Sequence, residues 1–163
     1  MKSTAILDVM VRDHDRLMKY LADVKNNIKS DFDVLLKSFN TFEWNLEKHF
    51  FVEERAIFTS YNPDYIEDGH QLFTNLAKQH TNILEKVESL RKRLRSGKSI
   101  DVSDLETILL KHKTYEEKNV YPVLDVEISE GEKRYMIERI NDIIWGMELW
   151  KKKPMNVKIV EKK

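Results

Sequence analysis

The chain has 163 residues, 41% of them hydrophobic, which is enough for one domain with its own core and gives no reason to expect a second. Lys and Arg total 28 and Asp and Glu total 28, so the formal charge is zero and no net field favours a polyanion, which argues against nucleic acid as a partner. Cysteine is absent, which excludes disulfides, thiolate nucleophiles, cysteine-held iron–sulfur clusters and Cys-ligated zinc, and leaves nitrogen and oxygen to hold any metal.

The N-terminal stretch Met1 to Asp8 lacks an uninterrupted apolar region, and no apolar run approaches the ~20 residues of a membrane span, so a soluble, cytoplasmic protein is expected. Four glycines and three prolines punctuate apolar residues that recur every three or four positions, which predicts an all-α fold. A first helix, capped by Ser3 or Thr4 and running to about Lys29, carries Leu7, Met10, Val11, Leu17, Met18, Leu21 and Ile28 on one stripe, with His14 in its middle. A second, from Ser30 or Asp31 to the Thr59–Asp64 segment, carries Phe32, Leu35, Leu36, Phe39, Phe42, Leu46, His49, Glu53 and Ile57, and proline at 63 disfavours helix beyond. A third, roughly Tyr65 to Arg95, presents Phe73, Leu76, His80, Ile83, Leu84, Val87, Leu90 and Leu94 before Ser96-Gly97-Lys98-Ser99 closes it. Ser103 with Glu106 reads as a capping box for a fourth helix bearing Leu105, Ile108, Leu109, His112, Glu116 and Val120, which Tyr121-Pro122 stops or kinks. Ser129 with Glu132 reads as another box, opening a last helix with Met136, Ile137, Ile140, Ile143, Ile144 and Met147. The expected organisation is a four-helix bundle with an added C-terminal helix over residues 1–150, then a basic tail over 151–163.

Two stretches repeat: His49-Phe50-Phe51-Val52-Glu53-Glu54 and His112-Lys113-Thr114-Tyr115-Glu116-Glu117. Residues four apart on a helix differ by roughly 40° around the axis and roughly 6 Å along it, so each His and the Glu after it share a face. The order His14, His49, Glu53 recurs as His80, His112, Glu116, so the two halves read as related helical hairpins, and short connections pack four such helices as an up-and-down bundle. Six polar groups on apolar stripes would cost several kcal/mol each if left unpaired. Two cations would compensate: each takes two imidazoles, while Glu53 and Glu116 bridge them together with an oxo or hydroxo group. Two histidines and a carboxylate with open positions is the setting of non-heme iron that meets oxygen, and manganese or zinc fits the same ligands less specifically.

The pattern His14, His49-x-x-x-Glu53-Glu54, His80, His112-x-x-x-Glu116-Glu117 and Val120-Tyr121-Pro122 resembles the hemerythrin-like HHE cation-binding family over roughly the first 125 residues. The resemblance implies a four-helix bundle holding two iron ions (Fe2+/Fe3+) bridged by the two glutamates. Members of that family are linked to binding or sensing of oxygen or nitric oxide, to iron sensing and to repair of iron–sulfur clusters. For this chain the expected function is binding or sensing of oxygen, nitric oxide or peroxide at an open iron position, with an iron donor or iron-sensing module, or redox catalysis, as alternatives that would call on a reductase or partner protein. Oxygen-carrying members have a second histidine four residues after the third-helix one and an aspartate five residues after the last. Here Leu84 and Glu117 stand at those places, which points away from reversible oxygen carriage. Cluster-repair members often carry a cysteine-containing segment, and this chain has no cysteine.

The remaining polar residues have plainer readings. His70 falls on another face from His80 and reads as a surface residue, and Glu54 and Glu117, rotated by roughly 100° from the ligands, read as exposed or as bonded to a ligand histidine. Tyr115 and Tyr121 read as packing residues that could also tune the site or relay an electron. The basic run Arg91 to Lys98 suits a helix C-terminus.

Overall fold

The computed structural model describes residues 2–60 and 69–152. They form α1 (Ala5–Asn26), α2 (Phe32–Val52, continued by a π-helical turn Glu53–Phe58), α3 (Gly69–Arg95), α4 (Ser103–Asn119), α5 (Tyr121–Glu127) and α6 (Glu130–Lys152), with no strand among the described residues. The expected start of the third helix at Tyr65 and the tail from Met155 fall outside them.

Helices α1 to α4 close a ring in which α1 packs on α2, α2 on α3, α3 on α4 and α4 back on α1. Two apolar clusters fill it. One gathers Leu17, Leu21, Phe39, Phe42, Leu46, Ile83, Val87 and Leu105. The other gathers Ile6, Met10, Val52, Ile57, Leu76, Val120, Tyr121, Leu124, Met136 and Ile140. Along α1 and α3 the second cluster precedes the first, and along α2 and α4 the order reverses, so the helices run up, down, up, down. Between the clusters each helix contributes its histidine. Helices α5 and α6 supply Leu124, Met136 and Ile140 to the second cluster and so close that end of the bundle.

Helix ends show where local signals decide and where they lose. Ser129 and Glu132 form the reciprocal box, with Ser129 N–H donating to Glu132 Oε2 at 2.8 Å and Glu132 N–H to Ser129 Oγ at 3.2 Å. Ser103 does not form its expected box. It is already helical, and both its N–H and hydroxyl bond the Asp101 carboxylate, at 2.9 and 2.6 Å, while Glu106 turns to Lys25 at 3.3 Å. Neither Ser3 nor Thr4 caps α1 through its side chain. The buried carboxylate of Asp125 in α5 takes that place, accepting the N–H groups of Ile6 and Leu7 at 3.0 Å each. Gly97, at φ +71°, supplies the left-handed residue that ends α3, with Lys98 N–H bonding Arg93 O at 3.0 Å. Pro122 stops α4 as expected and also starts α5, since a proline in the first turn forfeits no helical hydrogen bond. Phe32 and Ile108, expected on buried stripes, are exposed, and Ile6 and Val24 are buried instead.

Candidate metal centre

His14, His49, Glu53, His80, His112 and Glu116 are all buried and meet at one level of the bundle. Their ligating atoms form two overlapping quartets, His14–His49–Glu53–Glu116 and Glu53–His80–His112–Glu116, each with all four atoms within 4.8 Å of one another. Both glutamates belong to both quartets. Glu53 Oε2 lies 3.5 Å from His49 Nε2 and 3.1 Å from His80 Nε2. Glu116 Oε2 lies 3.6 Å from His14 Nε2, and its Oε1 contacts His112 Nε2. His70 is exposed and belongs to neither quartet.

Each imidazole is oriented by its outer nitrogen. Nδ1 of His14 bonds Glu117 Oε1 at 2.8 Å, that of His49 bonds Asp13 Oδ2 at 2.6 Å, that of His80 bonds Glu54 Oε1 at 2.9 Å, and that of His112 bonds Gln79 Oε1 at 2.7 Å. With an acceptor at Nδ1, that nitrogen keeps its proton outward, and Nε2 is the nitrogen that faces the site. Glu54 and Glu117 therefore take the role of partners to site histidines. Asp13 and Gln79 were missed by sequence reasoning, although each directly precedes the first histidine of its half, a shared offset that could have found them. Phe50 stacks on His80 with centroids 3.9 Å apart and walls the layer from the neighbouring apolar cluster.

The widened turn of α2 begins at Glu53 itself. Single π turns inside helices recur at functional sites, because they re-aim a side chain without ending the helix. Tyr121 is fully buried, and its hydroxyl lies in hydrogen-bond contact with both Glu53 Oε1 and Glu116 Oε2, so the phenol joins the site as well as the core.

The electrostatics are those of a site that wants positive charge. Burial alone would lower the His80 pKa, but the carboxylates of Glu116, Glu53 and Glu54 around it outweigh that and push the value up to about 10. Burial likewise opposes the His49 cation, and Glu53 and Asp13 reverse the balance and raise its pKa. Glu116 is held well below the usual carboxylate range, its burial overcome by the polar groups packed around it, Glu53, His112, His14 and His80. The Tyr121 hydroxyl is pushed well up by burial and by the two adjacent carboxylates, which keeps it a donor.

The donor set fits a metal. Nε2 of all four histidines, Glu53 Oε2 and Glu116 Oε1 are buried without a hydrogen-bond partner, and among the described residues only Trp44 Nε1 joins them. Orphaned buried polar atoms are costly, and six converging on one point are explained by a cation between them. The family model of the hemerythrin HHE cation-binding domain matches residues 5–124. The chain belongs to that family. The match runs from α1 into α5 and leaves α6 outside, and the family together with the buried His/Glu cluster makes this a metal-binding centre on a hemerythrin-type helical bundle. An uncharacterized hemerythrin-like protein of Schizosaccharomyces pombe is 25% identical over 138 residues, covering 83% of this chain. The aligned segment spans 66% of that relative, just under two thirds of its length. No solved structure matches the chain significantly. No helix among the described residues is long and apolar enough to cross a membrane.

Proposed function

We propose that the centre holds two iron ions, one between His14 and His49 and one between His80 and His112, with Glu53 and Glu116 shared, and that it binds a small diatomic or peroxide ligand as sensor, scavenger or store. The observation that carries this reading is the set of six inward, unpartnered donor atoms, which fall into two overlapping quartets of two imidazoles each, with Glu53 and Glu116 common to both. Iron held there by the four histidines and two glutamates would supply a Lewis acid for the small ligand. The chain's own residues do the rest. The four Nδ1 partners lock the imidazoles in place, Tyr121 donates to the shared carboxylates, and the two apolar clusters keep bulk water from both sides of the layer. A cavity of about 10 Å3 touches His14, His49 and His112 between Leu17, Leu46 and Leu109. That is room for about one water-sized molecule, which speaks against a large organic substrate.

The test is metal content of aerobically purified protein, with optical spectra of the reduced form before and after nitric oxide. About two irons per chain and a spectral change on adding the gas are expected. Protein that stays folded yet metal-free after reconstitution with ferrous iron would remove the reading.

A further inference from the structure

The hydrogen bonds behind the four histidines obey a rule. In each half, the residue before the first histidine accepts from the second histidine of the same half: Asp13 from His49, Gln79 from His112. The residue after each glutamate accepts from the first histidine of the other half: Glu54 from His80, Glu117 from His14. The rule holds at four places, and the chemistry differs at one. Three acceptors are carboxylates, and Gln79 is a neutral amide.

The difference falls unevenly on the two half-sites. The His14–His49 pair is backed by two carboxylates, Glu117 and Asp13, each 21% exposed. The His80–His112 pair is backed by one, Glu54, whose side chain is 42% exposed and so better screened by solvent. A carboxylate on Nδ1–H makes the imidazole a stronger donor to a cation, and losing such a partner typically lowers metal affinity by about 10- to 100-fold. A second feature lies on the same side. A surface groove of about 390 Å3, lined by Gln79, Ile83, Ile108 and Tyr115, is bordered by His112.

We propose that Gln79 makes the His80–His112 half-site the weaker and more exchangeable of the two, so that the protein carries one retained ion and one that is given up and replaced through the groove beside Gln79. This rests on the two-ion reading above. Gln79 is a positioning residue: it touches His112 and acts on the ion only through it.

The experiment loads the full chain with Zn(II), and separately with ferrous iron under anaerobic conditions, and follows metal release to an excess of chelator. Wild type should bind two equivalents and release them in two phases of equal amplitude. Gln79→Glu, a change at an exposed side chain where solvent screens part of the new charge, should slow the fast phase by up to about 10-fold and leave the slow one in place. Asp13→Asn should speed the slow phase and merge it with the fast one. Two equivalents leaving in a single phase, or a fast phase indifferent to Gln79→Glu, would overturn the inference while leaving the two-ion reading intact. Fewer than two equivalents in wild type would remove both.

Discussion

The carboxylate of Asp125 accepts the backbone N–H of Ile6 at 3.0 Å, joining residues 119 positions apart, so the first helix of the bundle is capped by a residue that follows the fourth. Asp125 also lies 3.7 Å from the buried ammonium of Lys133, which donates in turn to Ser3 O at 2.6 Å and Glu130 at 2.9 Å. Asp125→Ala removes the acceptor for two helix-terminal N–H groups and one of the anions beside a buried cation. The expected loss is about 3 kcal/mol, read as a shift in denaturant midpoint at constant m-value, with metal stoichiometry unchanged.

Tyr121→Phe keeps the packing of the apolar end and deletes the donor facing Glu53 and Glu116. The metal-free protein should lose about 1–3 kcal/mol, since buried acceptors are left unmatched. The metal-loaded protein should lose less, because the ions then face the same carboxylates. Equal midpoints for wild type and variant without metal would reduce the phenol to a packing residue.

His49→Ala and Glu116→Ala test the ligand assignment. Each should lower the metal bound per chain, Glu116→Ala the more because its carboxylate belongs to both quartets. Elemental analysis after gel filtration checks this, and undiminished stoichiometry in both variants would sink the assignment.

The metal-free protein should show an inverted pH dependence. His80 binds its proton more tightly when folded, with its pKa raised from 6.5 to about 10 despite burial by the neighbouring carboxylates of Glu116, Glu53 and Glu54. Its contribution is therefore complete below about pH 6.5 and disappears as the pH rises toward 10. Glu116 is lowered from 4.5, so its contribution is present above about pH 4.5 and is lost as acid protonates it. As far as these two groups set it, stability without metal is greatest between about pH 4.5 and 6.5. Metal loading should reverse the alkaline limb, because the ion replaces the proton and binding strengthens as protons leave. Urea midpoints measured from pH 5 to 9, with and without Zn(II), would show the limb change sign.

How much of this was legible follows from the range of each signal. Helical periodicity is local and strong, so the stripes through His14, His49, His80 and His112 foretold the bundle and the meeting of six residues at one level. The failures are contacts that no local pattern encodes. Asp125 caps a helix more than a hundred residues away, and Asp101, two residues before Ser103, takes the bonds that a capping box would have used. Nothing in Glu53–Phe58 announces a π turn, because its residues suit an α-helix equally well. Asp13 and Gln79 were readable in principle, but only by asking what lies behind each site histidine as well as what lies between them.

The crossed bonds from His14 to Glu117 and from His80 to Glu54 carry one more consequence. Each hairpin reaches into the other at the same offset, residue for residue, as two subunits do across a two-fold axis. Neither hairpin completes its own first histidine, so each is unfinished without its counterpart. The chain is laid out as a homodimer written on a single strand, which is the geometry that duplication and fusion of one hairpin would leave, and Gln79 is a point at which the two copies no longer agree.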